Sequence, residues 1–591
     1  MKKKQVLALM LSTVMAVTAL AGCGGGTNAL EGGGGGSQSG GSQSGGNQGG
    51  GASGGAGADM SSVFDLTPGN LPVVIDPDNA PVFKIARNRD PLQTVEIGEL
   101  PMVKKLEEDT GVKIEWEEVP SVGLTEKVNL MLTGSDLPDA FWDCISNDMI
   151  SIYMGQDLLI PVNDLEQYMP NLTKIYEEHP EYKALVTAPD GNRYGFPYIE
   201  EMYGLVLTPG PFLINQDWLD KVGKDMPTTI DEWVDCLRAF KEYGDLNGNG
   251  IDDEIPFTLG LASTDTFDSY DTFNRFCMAF GMATTAGDNR SDDNMGIVDG
   301  KVVFTAADPA YRDTAKFFHQ LYDEGLIDVN SFSPAPNPRY ALYWDQIKGD
   351  TAIYGCFGVW SPQNDISNPS VCAQYKPLPR LEGPKGKIGE ALNFSELQRA
   401  ARFAITSACE YPEVLARMVD YMYSPEMSIS CNWSPEGYVY HADETGKWVF
   451  EIVDGNVVVP EPWSTISEVS NNTRGSKGPT AIFNSYYDDK VEYDFAAQDL
   501  LAFQRVNGKE EYLEEITCVP PMLKTAEEMA AISQIQPQIK NIVNSYRMQW
   551  ILDGDADETW DQYLAELDAA GLPQLLEVFQ GAYDRYMSSQ N

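Results

Sequence analysis

Histidine is scarce: only His179, His319 and His441 occur in 591 residues, and none sits at metal-ligand or triad spacing. Outside a glycine-rich leader no Gly-x-Ser-x-Gly elbow is present either, so hydrolase chemistry has little to stand on. Basic residues are few, with 41 Lys and Arg against 88 Asp and Glu and a formal net charge of −47. That balance argues against a nucleic-acid partner and against adhesion to an anionic membrane. The nine cysteines form no Cys-x-x-Cys pair, which removes zinc knuckles and thioredoxin-type sites. Their irregular spacing fits disulfides or buried thiols, and buried thiols are favoured. Beyond residue 20 no apolar run could span a bilayer, and no fixed-period repeat suggests a solenoid.

What is present begins with Lys2, Lys3 and Lys4, followed by an apolar run from Val6 to Leu20 and then Leu20-Ala21-Gly22-Cys23. This is a secretory signal pattern over residues 1–22. Its small-small-Cys ending resembles the lipobox of bacterial lipoproteins, which implies that Cys23 becomes the lipidated mature N-terminus. Residues 23–78 read as a tether, because Gly, Ser and Gln dominate up to Ala58 and such a tract has almost nothing to bury. About 35 residues of coil reach roughly 30 Å. The expectation is a chain held on the extracellular face of a Gram-positive-type membrane by lipid alone.

Residues 79–591 are too many for one core and predict two lobes. The first stretch reads strand, helix, strand: an apolar run at Val82 to Ile85, helical spacing from Pro101 to Thr110 with a stop at Gly111, then alternation through Val112, Ile114 and Trp116. A second unit follows with a helix at Lys127 to Leu132 and a strand at Ala140 to Trp142. Alternating strands and helices predict an α/β fold with a mostly parallel sheet. Amphipathic helices are expected near Tyr311 to Tyr322 and Pro412 to Tyr423, and through the tail from Ala526 to Ser588.

One segment carries donor chemistry. Asp245, Asn247 and Asn249 alternate, Gly250 follows, and Asp252, Asp253 and Glu254 close the run. Calcium takes six to eight oxygen ligands from a loop that coils around it. Asp245, Asn247, Asn249, the Ile251 carbonyl, Asp253 and Glu254 are the candidate ligands of a structural Ca2+ ion. The pattern departs from a true EF-hand because Pro256 stands where a bidentate Glu would be. The competing reading is an ordinary Asn-Gly turn.

That loop, after Ile230-Asp231-Glu232-Trp233 and before Ile255-Pro256, resembles the calcium loop of LplA-like lipoproteins, which are extracellular solute-binding proteins of ABC importers. Further stretches are similar to the same family in the same order: Ser135-Asp136-Leu137-Pro138-Asp139, the run from Ile160 to Asn171, Thr187 to Pro197, and Tyr411 to Glu426. The resemblance implies a bilobal periplasmic-binding-protein-like fold of type II, a hinge, and closure of a monomer over a small ligand for delivery to a permease. Lobe 1 is expected over roughly 80–205 plus a segment near 370–430. Lobe 2 is expected over roughly 206–369 plus much of 430–591.

Sugar recognition needs flat apolar rings beside planar polar groups. Trp360 follows an apolar strand and precedes Ser361-Pro362, a loop position where ligands of open α/β sheets gather. Trp142 and Asp139, Trp463, Tyr198, Trp344 and Trp433 complete the candidates. Trp116, Trp218, Trp233, Trp550 and Trp560 lie on periodic elements and are assigned to packing. The expected cargo is an oligosaccharide. A peptide or other metabolite, a lipid-anchored carbohydrate-active enzyme and a surface adhesin are the competing classes, because fold alone does not fix function.

Overall fold

A computed structural model describes residues 60–208, 210–258, 272–284, 294–332, 349–358, 366, 368–390, 393–453, 456–492, 508 and 517–590. Signal, Cys23 and most of the tether lie outside the described residues.

The strand-helix-strand reading of the first stretch holds. Strand β1 (Val82–Arg89) buries Phe83, Ile85 and Ala86, and β2 (Lys113–Pro120) pairs with it in parallel. The helix Pro101–Thr110 between them starts on a proline, where the missing N–H costs nothing, and ends where Gly111 turns left-handed at φ 71°. Strand β3 (Ala140–Trp142) lies on the other side of β1. Strands β4 (Phe196–Glu200), β11 (Leu397–Ile405) and β16 (Thr480–Ile482) complete one sheet in the order β16-β4-β11-β3-β1-β2. Only β11 runs against the rest. This sheet and its helices form lobe 1.

Lobe 2 holds a second sheet in the order β10-β5-β9-β6, built from β5 (Phe212–Asn215), β6 (Ile255–Phe257), β9 (Tyr354–Gly358) and β10 (Tyr375–Pro377). A separate hairpin of β7 (Met295–Val298) and β8 (Lys301–Phe304) packs into the same core. The tail forms three helices, Ala526–Asp553, Ala556–Ala569 and Leu572–Ser589, that pack into the same core. Trp218, Trp233 and Trp550 are fully buried in it, as their periodic spacing predicts. Each large aromatic so buried contributes on the order of 2–3 kcal/mol of transfer free energy.

A third, aromatic core lies around Tyr198, Trp433, Tyr440 and Tyr487. It is framed by β12 (Tyr440–Ala442), β13 (Trp448–Phe450) and β17 (Val491–Glu492), with a small ladder of β14 (Ile452–Val453) and β15 (Asn456–Val457) beside it.

Three boundaries differ from expectation. The start of the segment near 370–430 joins lobe 2 rather than lobe 1, because β10 pairs with β5 and Leu378, Leu381 and Ile388 enter the lobe 2 core. Residues 60–78 are not all tether: Val63, Phe64, Val73 and Val74 are buried in the lobe 1 core. The assignment of much of 430–591 to lobe 2 fails as far as residue 492. Strand β16 pairs with β4 in lobe 1, and Tyr198 of β4 joins the aromatic core. Short apolar segments separated by polar turns carry no mark of which sheet they join. The cysteine alternatives resolve as well, because all eight beyond Cys23 are free thiols and seven are buried.

The chain crosses between lobes from β4 to β5 and returns from β10 to β11. The close pairing of β4 with β11 depends on Gly195, where an added Cβ would lie 2.4 Å from the Ala401 Cβ and 2.8 Å from the Phe403 carbonyl oxygen. A methyl there must push the two crossing strands apart. Gly195→Ala should therefore cost about 1–3 kcal/mol, read as a lowered denaturant midpoint with unchanged slope.

Candidate functional site

In a parallel sheet the carboxyl ends of the strands are where loops and ligands meet. In lobe 1 that edge is formed by the ends of β1, β2, β3, β4 and β16 and by the start of β11. One polar chain follows it across the sheet. Ser121 Oγ, just past β2, donates to Asn88 Oδ1 at 2.8 Å, and Asn88 Nδ2 donates to Asp143 Oδ2 at 3.3 Å. Asp143 pairs with the Arg402 guanidinium of β11. That guanidinium lies 5.0 Å from the Tyr198 ring centre, and the Tyr198 hydroxyl donates to Glu200. Lys477, in the loop before β16, closes the chain on Glu200 Oε2 at 2.7 Å.

These groups are held out of water at a cost. Arg402 is 12% exposed and Asp143 14%, whereas Glu200 is 2% exposed. Burial pulls the Arg402 pKa down to about 9, helped by the neighbouring positive charges of Arg474 and Arg87. Burial likewise lowers Arg87 to about 9 and shifts Lys477 downward against the pull of Glu200. Asp143 sits at φ 55°, a left-handed conformation that non-glycine residues adopt at a cost and that clusters at functional sites. Among the described residues Arg402 Nε, Glu200 Oε1, Trp142 Nε1 and two Arg87 nitrogens have no partner. Buried polar atoms without partners are rare in native folds.

A cavity of about 300 Å³ lies where the lobes meet. Ser146, Asn147, Gln398 and Arg399 of lobe 1 and Lys524, Gln536 and Phe579 of lobe 2 are among the residues lining it. Its size matches the lower end of small-ligand sites. The segments that follow β6 and β9 in lobe 2, 259–271 and 359–365, lie outside the described residues.

The aromatic candidates divide. Trp360 and Trp344 lie outside the described residues. Trp142 is 2% exposed, edge-on to Trp116 and Phe403, with Arg87 4.4 Å from its ring centre. It packs the core and presents no face to solvent. Asp139 precedes β3, at the opposite end of the sheet from this edge, and its carboxylate accepts the Lys84 backbone N–H at 2.7 Å. Tyr198 is buried within β4 and works through its hydroxyl, as a member of the polar chain. Trp433 is buried against Phe450 and donates to the Tyr487 hydroxyl at 3.1 Å. Trp463 keeps a partly exposed ring beside Tyr438.

Sequence reasoning passed over Asn88, Asp143, Glu200, Arg402 and Lys477. A signal existed for two of them. Arg402 is a lone charge inside Ala400-Ala401-Arg402-Phe403-Ala404-Ile405, and Asp143 follows directly on the buried Ala140-Phe141-Trp142 run. An isolated charge in an apolar strand must be paired.

The oxygen-rich loop on lobe 2 joins the helix Ile230–Tyr243 to β6. Asp245 Oδ2 accepts the Gly250 N–H at 3.0 Å, Asn247 Oδ1 that of Asn249 at 2.9 Å, and Asn249 Oδ1 that of Ile251 at 2.7 Å. Gly250 supplies the turn at φ 85°. Both asparagine amides donate to Asp253, and Glu254 accepts the Asn247 N–H. Among the described residues no group of three or more His, Cys, Asp or Glu could hold a metal. A hard cation here would draw on amide and carbonyl oxygens as well as carboxylates, a donor set that suits calcium.

Two α/β lobes, crossing strands between them and a polar edge facing the junction define a protein built to hold a solute between its halves. The chain belongs to the bacterial extracellular solute-binding protein family, whose pattern it matches over residues 97–428. It is 34% identical over 525 residues to the fructooligosaccharide ABC transporter substrate-binding protein FusA of Streptococcus pneumoniae serotype 4, covering 86% of this chain and 91% of that one. The fold superposes on FusA in complex with kestose with a TM-score of 0.71 at 32% identity, over 86% of this chain and 100% of that one. A FusA EF-hand mutant in complex with fructo-nystose gives 0.72 at 31% identity, with the same shares covered. Among the described residues no helix is long and apolar enough to cross a membrane.

The ion pair at the centre of the edge makes a direct forecast. Asp143→Ala strands a buried guanidinium and should cost about 3 kcal/mol, much of it regained in the double variant Asp143→Ala with Arg402→Met. Chemical denaturation of the three variants measures the cycle.

Proposed function

We propose that this protein is a lipid-anchored receptor that captures oligosaccharides between its lobes and hands them, uncut, to the permease of an ABC importer. The observation that carries the reading is the polar chain from Ser121 to Lys477 along the lobe 1 edge. It supplies planar, partly desolvated donors and acceptors of the kind that read hydroxyls. The FusA structures with kestose and fructo-nystose support fructooligosaccharides as the first cargo to try. Closure of the lobes excludes water, and the closed form is what the permease would recognise.

Two parts of the proposal concern the periphery. Cys23 carries the lipid, and the glycine-rich stretch behind it gives the binding domain its reach. The loop from Asp245 to Glu254 holds calcium, which fastens the helix Ile230–Tyr243 to β6. A FusA structure described as an EF-hand mutant lends support to that assignment.

A ligand that binds only the folded state stabilises it by about 2.7 kcal/mol at a hundredfold excess over Kd. Thermal melts should therefore rise with fructooligosaccharides and fall on addition of EGTA, with recovered sugar unchanged in length. No shift with any sugar, alongside a shift with a peptide panel, would replace the cargo; cleaved sugar would replace the function. Cys23→Ala should release the protein into the medium of expressing cells, and retention on the membrane would remove the anchor from the account.

A further inference from the structure

Two of the segments that join the lobes, from β4 to β5 and from β10 to β11, are gripped at both ends. On lobe 1, the Glu200 N–H donates to the Glu396 carbonyl at 3.0 Å and the Glu201 N–H to the Ile482 carbonyl at 3.0 Å. On lobe 2, Arg275 and Glu390 form an ion pair that is 1% and 0% exposed. The same guanidinium donates to the Gly210 carbonyl at 3.1 Å and the Gly389 carbonyl at 3.3 Å. One buried arginine thus holds the outgoing and the returning segments together where they enter lobe 2. Next to it, Asn393 ties them again, its N–H donating to the Leu207 carbonyl at 3.1 Å and its side-chain amide to the Val206 carbonyl at 2.6 Å.

Between these fixed points the outgoing segment does something costly. Met202 sits at φ 39°, Tyr203 at φ 53° and Gly204 at φ 85°. For an L side chain the left-handed region costs roughly 1–2 kcal/mol per residue, and glycine escapes that cost. Two consecutive non-glycine residues stay there only if the surroundings impose it. Contacts that hold them there come from the helix Asn484–Lys490, beside β16 of lobe 1. Asn484 Oδ1 accepts the Tyr203 N–H at 2.8 Å, the Tyr203 hydroxyl donates to Asp488 Oδ1 at 3.1 Å, and the Asn484 N–H donates to Glu201 Oε2 at 2.7 Å.

We propose that the turn from Met202 to Gly204 is the conformational switch of the hinge. The helix Asn484–Lys490 holds it left-handed in the arrangement described above, and rotation of the lobes releases it. The backbone cost and the helix contacts then oppose each other, and their balance sets how the two lobe arrangements are populated. This rests on the reading that the protein works by lobe closure, and it adds where the closure is poised.

The test separates those two opposing terms. Met202→Gly removes that residue's share of the cost without touching the helix contacts and should favour the described arrangement about tenfold. Asn484→Ala removes a contact without touching the cost and should disfavour it by a similar factor. Neither residue belongs to the polar chain of the site. Spin labels on one exposed position of each lobe in the full-length protein report the inter-lobe distance with and without a fructooligosaccharide mixture, and titration gives Kd. The expected result is opposite shifts for the two variants, in the distance distribution or, where one arrangement already dominates, in Kd. Variants that change the melting temperature but leave both distance and Kd as in the parent would show that the turn is merely structural and overturn the proposal, as would shifts of the same sign. A parent protein whose distance ignores every sugar, while the ligand-free variants still move oppositely, would instead reject the cargo and keep the switch.

Discussion

The constraint on which this structure depends is the cost of taking charge out of water. Arg87, Arg402, Arg474 and Lys477 converge at one edge of the lobe 1 sheet, and burial depresses the pKa of each. They persist there because Asp143 and Glu200 stand among them, and because the Arg474 and Ser476 carbonyls accept from Arg87. Such a chain is a poor way to gain stability, since apolar residues of like volume do as well or better. It is a good way to hold oriented donors and acceptors at fixed positions, as a binding surface requires. The left-handed backbone at Asp143 and the unpartnered atoms of Arg402 and Glu200 fit the same logic, because local cost is tolerated where function needs the geometry.

The strands that carry this chain are also the strands that join the lobes. Glu200 ends β4, and Arg402 sits in β11, which arrives from lobe 2. A molecule that touches Glu200 or Arg402 therefore touches the segments that must bend for the lobes to rotate. On the proposed reading, recognition and motion are coupled by covalent adjacency, without any relay through the core. The oxygen-rich loop stands apart from this arrangement, on lobe 2 between a helix and β6.

Much of the architecture was legible in the sequence because it is written in local periodicity. Pro101 to Gly111, the alternation around Ile114 and Trp116, and the spacing of Trp218 and Trp233 each name an element and its buried face, and the family motifs ordered them into two lobes. Of the aromatic candidates, Trp360 and Trp344 lie outside the described residues, and Trp142 and Trp433 are buried for a physical reason. A tryptophan at a strand end such as Trp142 buries as readily as it stacks, and nothing in its neighbours separates the two outcomes. The polar chain was hidden because its members come from positions 88, 121, 143, 198, 200, 402 and 477, which only the sheet order brings together. Arg402 within an apolar strand and Asp143 directly after a buried one were the available hint. The return of residues 430–492 to lobe 1 was equally invisible, since strand pairing at that separation leaves no local trace.

The central claim is that the polar edge of lobe 1 grips a sugar that stays whole. A crystal structure of the protein grown with a fructooligosaccharide tests it most directly. An intact oligosaccharide is expected between the lobes, with hydroxyls within hydrogen-bond distance of Asp143, Arg402 or Lys477. A sugar seated elsewhere while that edge holds only water would contradict it.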